Sequence, residues 1–199
     1  MSKMKIYSAP GSRASRVMWC AREANAPFEL VEFPWDQLKS PDFLAINPNG
    51  KVPAFADAGM KLFESLAINI YIAKKHSLGK LYPTDPVEEA QVLQWSFWAV
   101  GEIEPNSMPA LLFAIGFSTD EAAAKAGIPK LKAPLTVLND HLKNHQWLVG
   151  DKFTVADLNV SSVVGTIRVG KIDMSYAPHV EAWLERCFAR AARNPESVE

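Results

Sequence analysis

Several side chains in this 199-residue sequence are of types and spacings that could do chemistry. His141 and His145 stand four apart, so two imidazoles would share a helix face, as metal ligands can. The glutamate of an HExxH zinc helix is absent, because Leu142 occupies its place. The pair reads as a solvated helix face, and no metal is expected. Cys20 and Cys187 lie far apart and fit no metal or redox spacing. Cys20 follows Trp19 inside a helical pattern, so it is expected to be a core thiol in a chain that uses no disulfides. Ser12 and Ser15 stand at the start of that pattern. By residue type alone Ser12 is an N-cap, a hydroxyl that takes a free N–H of the first turn. Tyr7 lies near the end of a short apolar-leaning stretch and by itself is a packing residue. Glu64-Ser65 precedes another apolar run and reads as a helix start, where free N–H groups favour an anion.

Those side chains need elements to hold them. Met4 to Ser8 followed by Ala9-Pro10-Gly11 reads as a strand and a turn. From Ser12 the pattern is helical, with Val17, Ala21 and Ala24 at helix spacing, until Asn25-Ala26-Pro27 stops it. Phe28 to Phe33 alternates apolar and acidic residues, the mark of a half-buried strand. Leu38 to Gly50 reads as loop. Val52 to Phe55 and Lys61 to Phe63 are short strands about a turn at Asp57 to Gly59. Glu64 to Lys75 is helical, and its middle is apolar nearly all round, which implies cover on more than one side. The order β-α-β-loop-β-β-α describes a small α/β domain over residues 1–78. Residues 79–86 hold Gly79, Pro83 and Pro86 and read as a linker.

No strand pattern follows, so residues 87–199 are expected to form an all-α domain. Val87 to about Phe117 reads as one helix kinked near Pro105 and Pro109. Ser118-Thr119-Asp120-Glu121 and Thr154-Val155-Ala156-Asp157 both have the capping-box pattern, with Phe153 placed as a hydrophobic staple. The last helix carries Val180, Trp183, Leu184 and Cys187. The polar tail 194–199 is expected to be disordered.

Composition narrows the function classes. Lys and Arg total 21 against 22 Asp and Glu, so there is no basic excess to bind nucleic acid. Hydrophobic residues make up 48%, enough for a core without disulfides or metal. No run approaches the ~18 apolar residues of a membrane span. Met1 to Lys5 lacks a charged-then-apolar leader pattern, so a cytoplasmic protein with no membrane partner is expected.

Two motifs carry a resemblance. Asn47-Pro48-Asn49-Gly50-Lys51-Val52-Pro53, preceded by Lys39-Ser40-Pro41-Asp42-Phe43 and followed by Phe63-Glu64-Ser65-Leu66-Ala67-Ile68, resembles the glutathione-binding signature of the cytosolic glutathione transferases. Phe153-Thr154-Val155-Ala156-Asp157 resembles the capping motif of that family's helical domain. The resemblance runs from about Met4 to about Arg190. Pro10-Gly11-Ser12-Arg13-Ala14-Ser15-Arg16 resembles the serine-type classes, such as phi, theta and delta, although Leu38 stands where phi proteins often have His.

The resemblance implies a thioredoxin-like α/β domain followed by an all-helical domain. It implies glutathione as co-substrate, conjugated as thiolate to a small hydrophobic electrophile, with reduction of organic hydroperoxides as a further use of the thiolate. Val52 would pair with the cysteinyl backbone, with a cis peptide at Val52-Pro53 turning that segment to the ligand. Ser65 and the backbone N–H groups beside it would hold the γ-glutamyl carboxylate, and Glu64 the ammonium. Lys39 and Lys51 would meet the glycyl carboxylate. Ser12 would donate to the sulfur, with Tyr7 as the alternative, since other classes of the family use a tyrosine near the end of the first strand. Trp35, Phe97, Trp98, Met108 and Phe113 are candidate walls of an electrophile pocket between the domains. A homodimer is implied. The competing reading is a non-catalytic binding or assembly module, a role that some proteins of this architecture fill.

Overall fold

The computed structural model describes residues 3–193. The tail at 194–199 lies outside the described residues. Residues 3–83 together with Ala191–Arg193 form one compact unit, and Thr84–Arg190 form a second.

The first unit follows the order read from the sequence. Its elements are β1 (Met4–Ser8), α1 (Ala14–Glu23), β2 (Phe28–Glu32), α2 (Pro41–Leu44), β3 (Ala54–Asp57), β4 (Met60–Phe63) and α3 (Ser65–His76). The sheet order is β2-β1-β3-β4, with β1 parallel to β2 and the other neighbours antiparallel. This mixed sheet with helices is the thioredoxin-like arrangement expected. Side chains alternate along β1, so Met4, Ile6 and Ser8 share one buried face and Tyr7 points to the other. α1 and α3 pack on each other, and Cys20 Sγ donates to Asn69 O across their contact at 3.4 Å. Cys20 is wholly buried, and burial pushes its thiol far above its ordinary pKa, as befits a core thiol. On the Tyr7 side lies a second cluster of Ala9, Leu38, Phe43, Val52 and Ala54, flanked by Tyr7, Phe33 and Ile46.

Local readings differ from the structure at several points. α1 begins at Ala14 rather than Ser12, because Pro10 to Arg13 are taken up by turns. The stretch from Leu38 to Gly50 is not all loop: Ser40 caps α2, its hydroxyl accepting from Phe43 N at 3.3 Å. β2 is an edge strand, and Leu30 is exposed along with Glu29 and Glu32, so it is less buried than its alternation suggests.

The second unit is helical. Its helices are α4 (Pro86–Trp98), α5 (Glu104–Ala114), α6 (Glu121–Ala126), α7 (Lys132–Leu142), α8 (Val155–Val169) and α9 (Pro178–Phe188). The single kinked helix read over Val87 to Phe117 is in fact α4 and α5 joined by a π-helical segment at Ala99–Ile103. One wider turn lets the axis shift there without breaking the chain of backbone bonds. Pro105 falls in the first turn of α5, where its missing N–H costs little, and Pro109 lies inside it. The cap of α6 is Asp120, whose carboxylate accepts from Ala123 N at 2.9 Å, and not Ser118, whose hydroxyl accepts from Asp120 N at 3.2 Å.

α8 is the centre of this unit. Val155 to Ser161 are all buried, as are Val163, Val164, Thr166 and Ile167. Polar bonds fix its neighbours: Asn159 Nδ2 donates to Ser96 Oγ of α4 at 3.0 Å, and Thr166 Oγ1 lies 2.9 Å from Ser107 Oγ of α5. Its start is the capping box read from the sequence. Val180, Trp183, Leu184 and Cys187 of α9 are buried as their spacing predicts. Among the described residues, no helix is long and apolar enough to cross a membrane.

Candidate functional site

Sheet register gathers the candidate segments. Tyr7 pairs with Val31 and Ala54, and Ala54 pairs with Phe63. β1 and β2 finish at that level, β3 begins there and β4 ends there. The turn carrying Ser12, the segment leading to Trp35, the Val52-Pro53 step and the Glu64-Ser65 step therefore all leave the sheet at one end. They are separated by many residues in sequence, and only strand pairing brings them together.

Each segment has its own local order. Ser12 N donates to Ala9 O at 3.1 Å, closing the turn after β1. Its hydroxyl accepts from Ala9 N at 3.4 Å and from Ala14 N at 3.3 Å, and lies 3.3 Å from Ser8 Oγ. Ser12 is not the N-cap its residue type suggested: that position falls on Arg13, because the turn after β1 delays the helix to Ala14, and of that helix the Ser12 hydroxyl takes only the Ala14 N–H. Ser15 is exposed. Tyr7 is half-buried, with its ring 6.3 Å from that of Phe33 at a tilt of 52°. The Trp35 indole N–H donates to Pro10 O at 3.1 Å and so ties its segment to the Ser12 turn.

The 47–51 loop is built around Asn47, a buried residue. Asn47 Nδ2 donates to Lys51 O at 2.6 Å, and Oδ1 accepts from Asn49 N at 3.0 Å. Lys39 Nζ donates to Asn49 O at 2.9 Å. Gly50 has φ +59, and a Cβ there would come within 2.7 Å of both Leu38 O and Lys39 Nζ, so this close approach requires glycine. Lys39 and Lys51 are exposed, and the Val52-Pro53 peptide is cis, as expected. The motif alone assigns Asn47 no role. Its buried Asx pattern before Pro48 is the signal that could have revealed one.

Glu64 is the N-cap residue of α3, exposed, with φ +71 and ψ +107. A non-glycine residue in such a region is strained by about 1–3 kcal/mol and is held there only by its surroundings. The Glu64 side chain itself makes no capping hydrogen bond to α3. Ser65, the first helical residue, is buried.

Asp57, at the far end of β3, was not singled out by the sequence. Burial pushes its carboxyl up, but the hydrogen bonds from Lys75 and Tyr71 outweigh burial and leave it below its ordinary range. It ties β3 to α3, the helix that carries Ser65.

The remaining candidates lie in the helical unit. Phe97 and Phe113 are exposed, Met108 is half-buried, and Trp98 stands edge-on to Trp95 with ring centroids 5.2 Å apart. His141 and His145 stack at 4.3 Å; Nε2 of His141 bonds Leu148 O and Nδ1 of His145 bonds His141 O. No cluster of three metal-ligating side chains occurs among the described residues.

Comparison with known proteins bears on the whole chain. The family described as Glutathione S-transferase, N-terminal domain matches residues 2–74, and Glutathione S-transferase, C-terminal domain matches residues 98–191. The chain is 34% identical to the probable glutathione S-transferase GSTF2 of Oryza sativa subsp. japonica, over 96% of this chain and 94% of that one. It is 30% identical to glutathione S-transferase D7 of Drosophila melanogaster, over 93% of this chain and 84% of that one. A theta class glutathione S-transferase from Xanthomonas axonopodis pv. citri, solved with glutathione bound, superimposes with TM-score 0.88 at 25% identity, covering 100% of this chain and 99% of that one. A glutathione S-transferase-I bound to lactoylglutathione gives TM-score 0.85 at 30% identity, covering 98% of each chain. This chain belongs to the cytosolic glutathione transferase family and is a glutathione S-transferase.

Proposed function

We propose that residues 1–78 bind glutathione and deliver its thiolate to small hydrophobic electrophiles, with organic hydroperoxides reduced by the same thiolate, while 87–199 form the helical domain. The observation that carries this reading is the Ser12 hydroxyl. Its two acceptor positions are engaged by Ala9 N and Ala14 N, so what it has to offer a ligand is its proton. A free thiol has a pKa of ~8.5, so only about 3% is ionised at pH 7. A hydrogen bond to a charged acceptor contributes roughly 1.5–3 kcal/mol, enough to lower the thiol pKa by about one to two units. Ser12 remains a hydroxyl throughout and acts as donor, not base. Tyr7 is the alternative donor, and its packing beside Phe33 favours Ser12.

The other contacts follow from the same end of the sheet. The first turn of α3 with Ser65 takes the γ-glutamyl carboxylate, and Glu64 takes the ammonium. Val52, before Pro53, pairs with the cysteinyl backbone, and Lys39 with Lys51 meets the glycyl carboxylate. Trp35 lies beside the Ser12 turn and is the first candidate to line the electrophile's place. Most of the acceleration then comes from holding the electrophile against the sulfur. A cytoplasmic homodimer completes the reading, and light scattering that gives a monomer mass would remove that part.

The test is Ser12→Ala. Turnover should fall far more than glutathione affinity. Equal turnover by variant and wild type would show that Ser12 is not the donor. A module without catalysis would instead show no turnover in either form and no retention on immobilised glutathione.

A further inference from the structure

The proton that Ser12 would give to sulfur already has a claimant in the structure. Ser8 is the last residue of β1, and its side chain is 4% exposed. Its hydroxyl donates to Ala9 O at 3.2 Å, so its own proton is engaged. The contact of 3.3 Å between Ser8 Oγ and Ser12 Oγ leaves the donor open on distance alone. Counting protons decides it. Ser12 Oγ already accepts from Ala9 N and Ala14 N, which fills both lone pairs, so in this pair it must donate. Ser8 Oγ, whose proton points to Ala9 O, is free to accept.

We infer that Ser8 is a positioning residue that holds the Ser12 proton when no thiolate is present, and competes with the sulfur for it when glutathione binds. This rests on the reading of Ser12 as donor. The step is a rotation of one hydroxyl. The Ser12 O–H bond stays intact, its acceptor changes from Ser8 Oγ to the sulfur, and the thiol proton leaves to solvent. Ser8 therefore makes the thiolate harder to form than Ser12 alone would. A buried hydroxyl beside a catalytic donor would ordinarily be expected to help, and here its removal has the opposite sign. Thiol nucleophilicity falls with its pKa, with a Brønsted slope of about 0.4–0.5, so a moderated pKa keeps the thiolate reactive.

The experiment is to titrate the ultraviolet absorbance of the thiolate against pH in saturated glutathione complexes of wild type, Ser8→Ala, Ser12→Ala and the double variant. Giving up one neutral hydrogen bond sets the scale, so Ser8→Ala should lower the pKa of the bound thiol by about 0.5–1 pH unit. Ser12→Ala should raise it, and Ser8→Ala added to Ser12→Ala should change nothing more. Lys5, Arg13 and Arg16, the charged residues nearest in sequence, and Glu32, which pairs with Ser8 in the sheet, are the same in all four proteins, so their field cancels. Ser8→Gly also removes the hydroxyl and serves if the alanine variant does not fold. An unchanged or raised pKa in Ser8→Ala, with Ser12→Ala raised, overturns this inference alone. An unchanged pKa in Ser12→Ala overturns the Ser12 reading and this inference with it.

Discussion

Helices α3 and α8 both begin with a turn of N–H groups that the helix itself cannot satisfy, yet the chain treats these two ends in opposite ways. At α8, Thr154 Oγ1 accepts from Ala156 N at 3.3 Å, and the Asp157 carboxylate takes four bonds. Oδ1 accepts from Leu148 N and the Trp183 indole, both at 2.9 Å; Oδ2 accepts from Thr154 N at 3.0 Å and Thr154 Oγ1 at 3.3 Å. The end is closed, wholly buried and tied to α9 through Trp183. At α3 the cap position falls on exposed Glu64 at φ +71, whose side chain makes no capping bond. One helix start is committed to stability. The other starts from a strained backbone with no bond from its own cap residue, and it is where the proposed reading puts a carboxylate of glutathione. Side-chain changes at the two ends should therefore move different observables.

The largest effect belongs to the closed end. Asp157→Ala leaves Leu148 N, Thr154 N and the Trp183 indole without their acceptor in the interior. At about 1–3 kcal/mol for each orphaned donor, urea unfolding should register a loss of at least about 3 kcal/mol. At the start of α3, Ser65→Ala orphans no such set of donors, so stability should fall by about 1 kcal/mol or less. Its glutathione affinity by calorimetry should fall roughly tenfold or more, the loss of a bond to a charged group. If Ser65→Ala unfolds the protein as Asp157→Ala does, the contrast between the two ends is wrong.

Asp157 also gives the closed end a pH signature. Burial pushes its carboxyl up to about 6, against hydrogen bonds that favour the charged form. In the unfolded chain the same group titrates at ~3.9. Between those values the native state holds a proton that the unfolded state has lost, so this group's contribution to stability falls as pH rises from about 4 to about 6. The stability of wild type relative to Asp157→Asn should therefore increase as pH is lowered from 7 to 5, by up to about 1.4 kcal/mol per pH unit. A flat difference would place the native pKa at the ordinary value. The smallest change concerns the start of α3: Glu64→Gly relieves the positive φ and should raise stability by about 1 kcal/mol while weakening glutathione binding. A loss of stability there would mean that Glu64 is not strained.

The contrast also marks what the sequence could disclose. Thr154 and Asp157 are three residues apart, so a local pattern suffices to read their box. The pattern at Ser118 is ambiguous because Ser118 and Asp120 both suit a cap, and only the backbone path decides that Asp120 takes it. Lys39, Val52-Pro53 and Glu64-Ser65 were legible as motif positions. Their common end of the sheet was not, because it depends on Tyr7 pairing with Ala54 and Ala54 with Phe63, contacts between distant residues. The π segment at Ala99–Ile103 escaped notice because prolines 105 and 109 drew the expected kink toward themselves. Ser8 carried no signal at all: its position matters only once the turn at Ala9 brings Ser12 back beside it.

The most direct test of the whole account is the ionisation of bound glutathione in the wild-type protein. Calorimetry fixes saturation, and the thiolate absorbance of the saturated complex is followed against pH. Binding is expected with a thiol pKa well below the ~8.5 of a free thiol. Binding with an unshifted pKa, or no binding, would contradict the claim that this end of the sheet delivers glutathione as its thiolate.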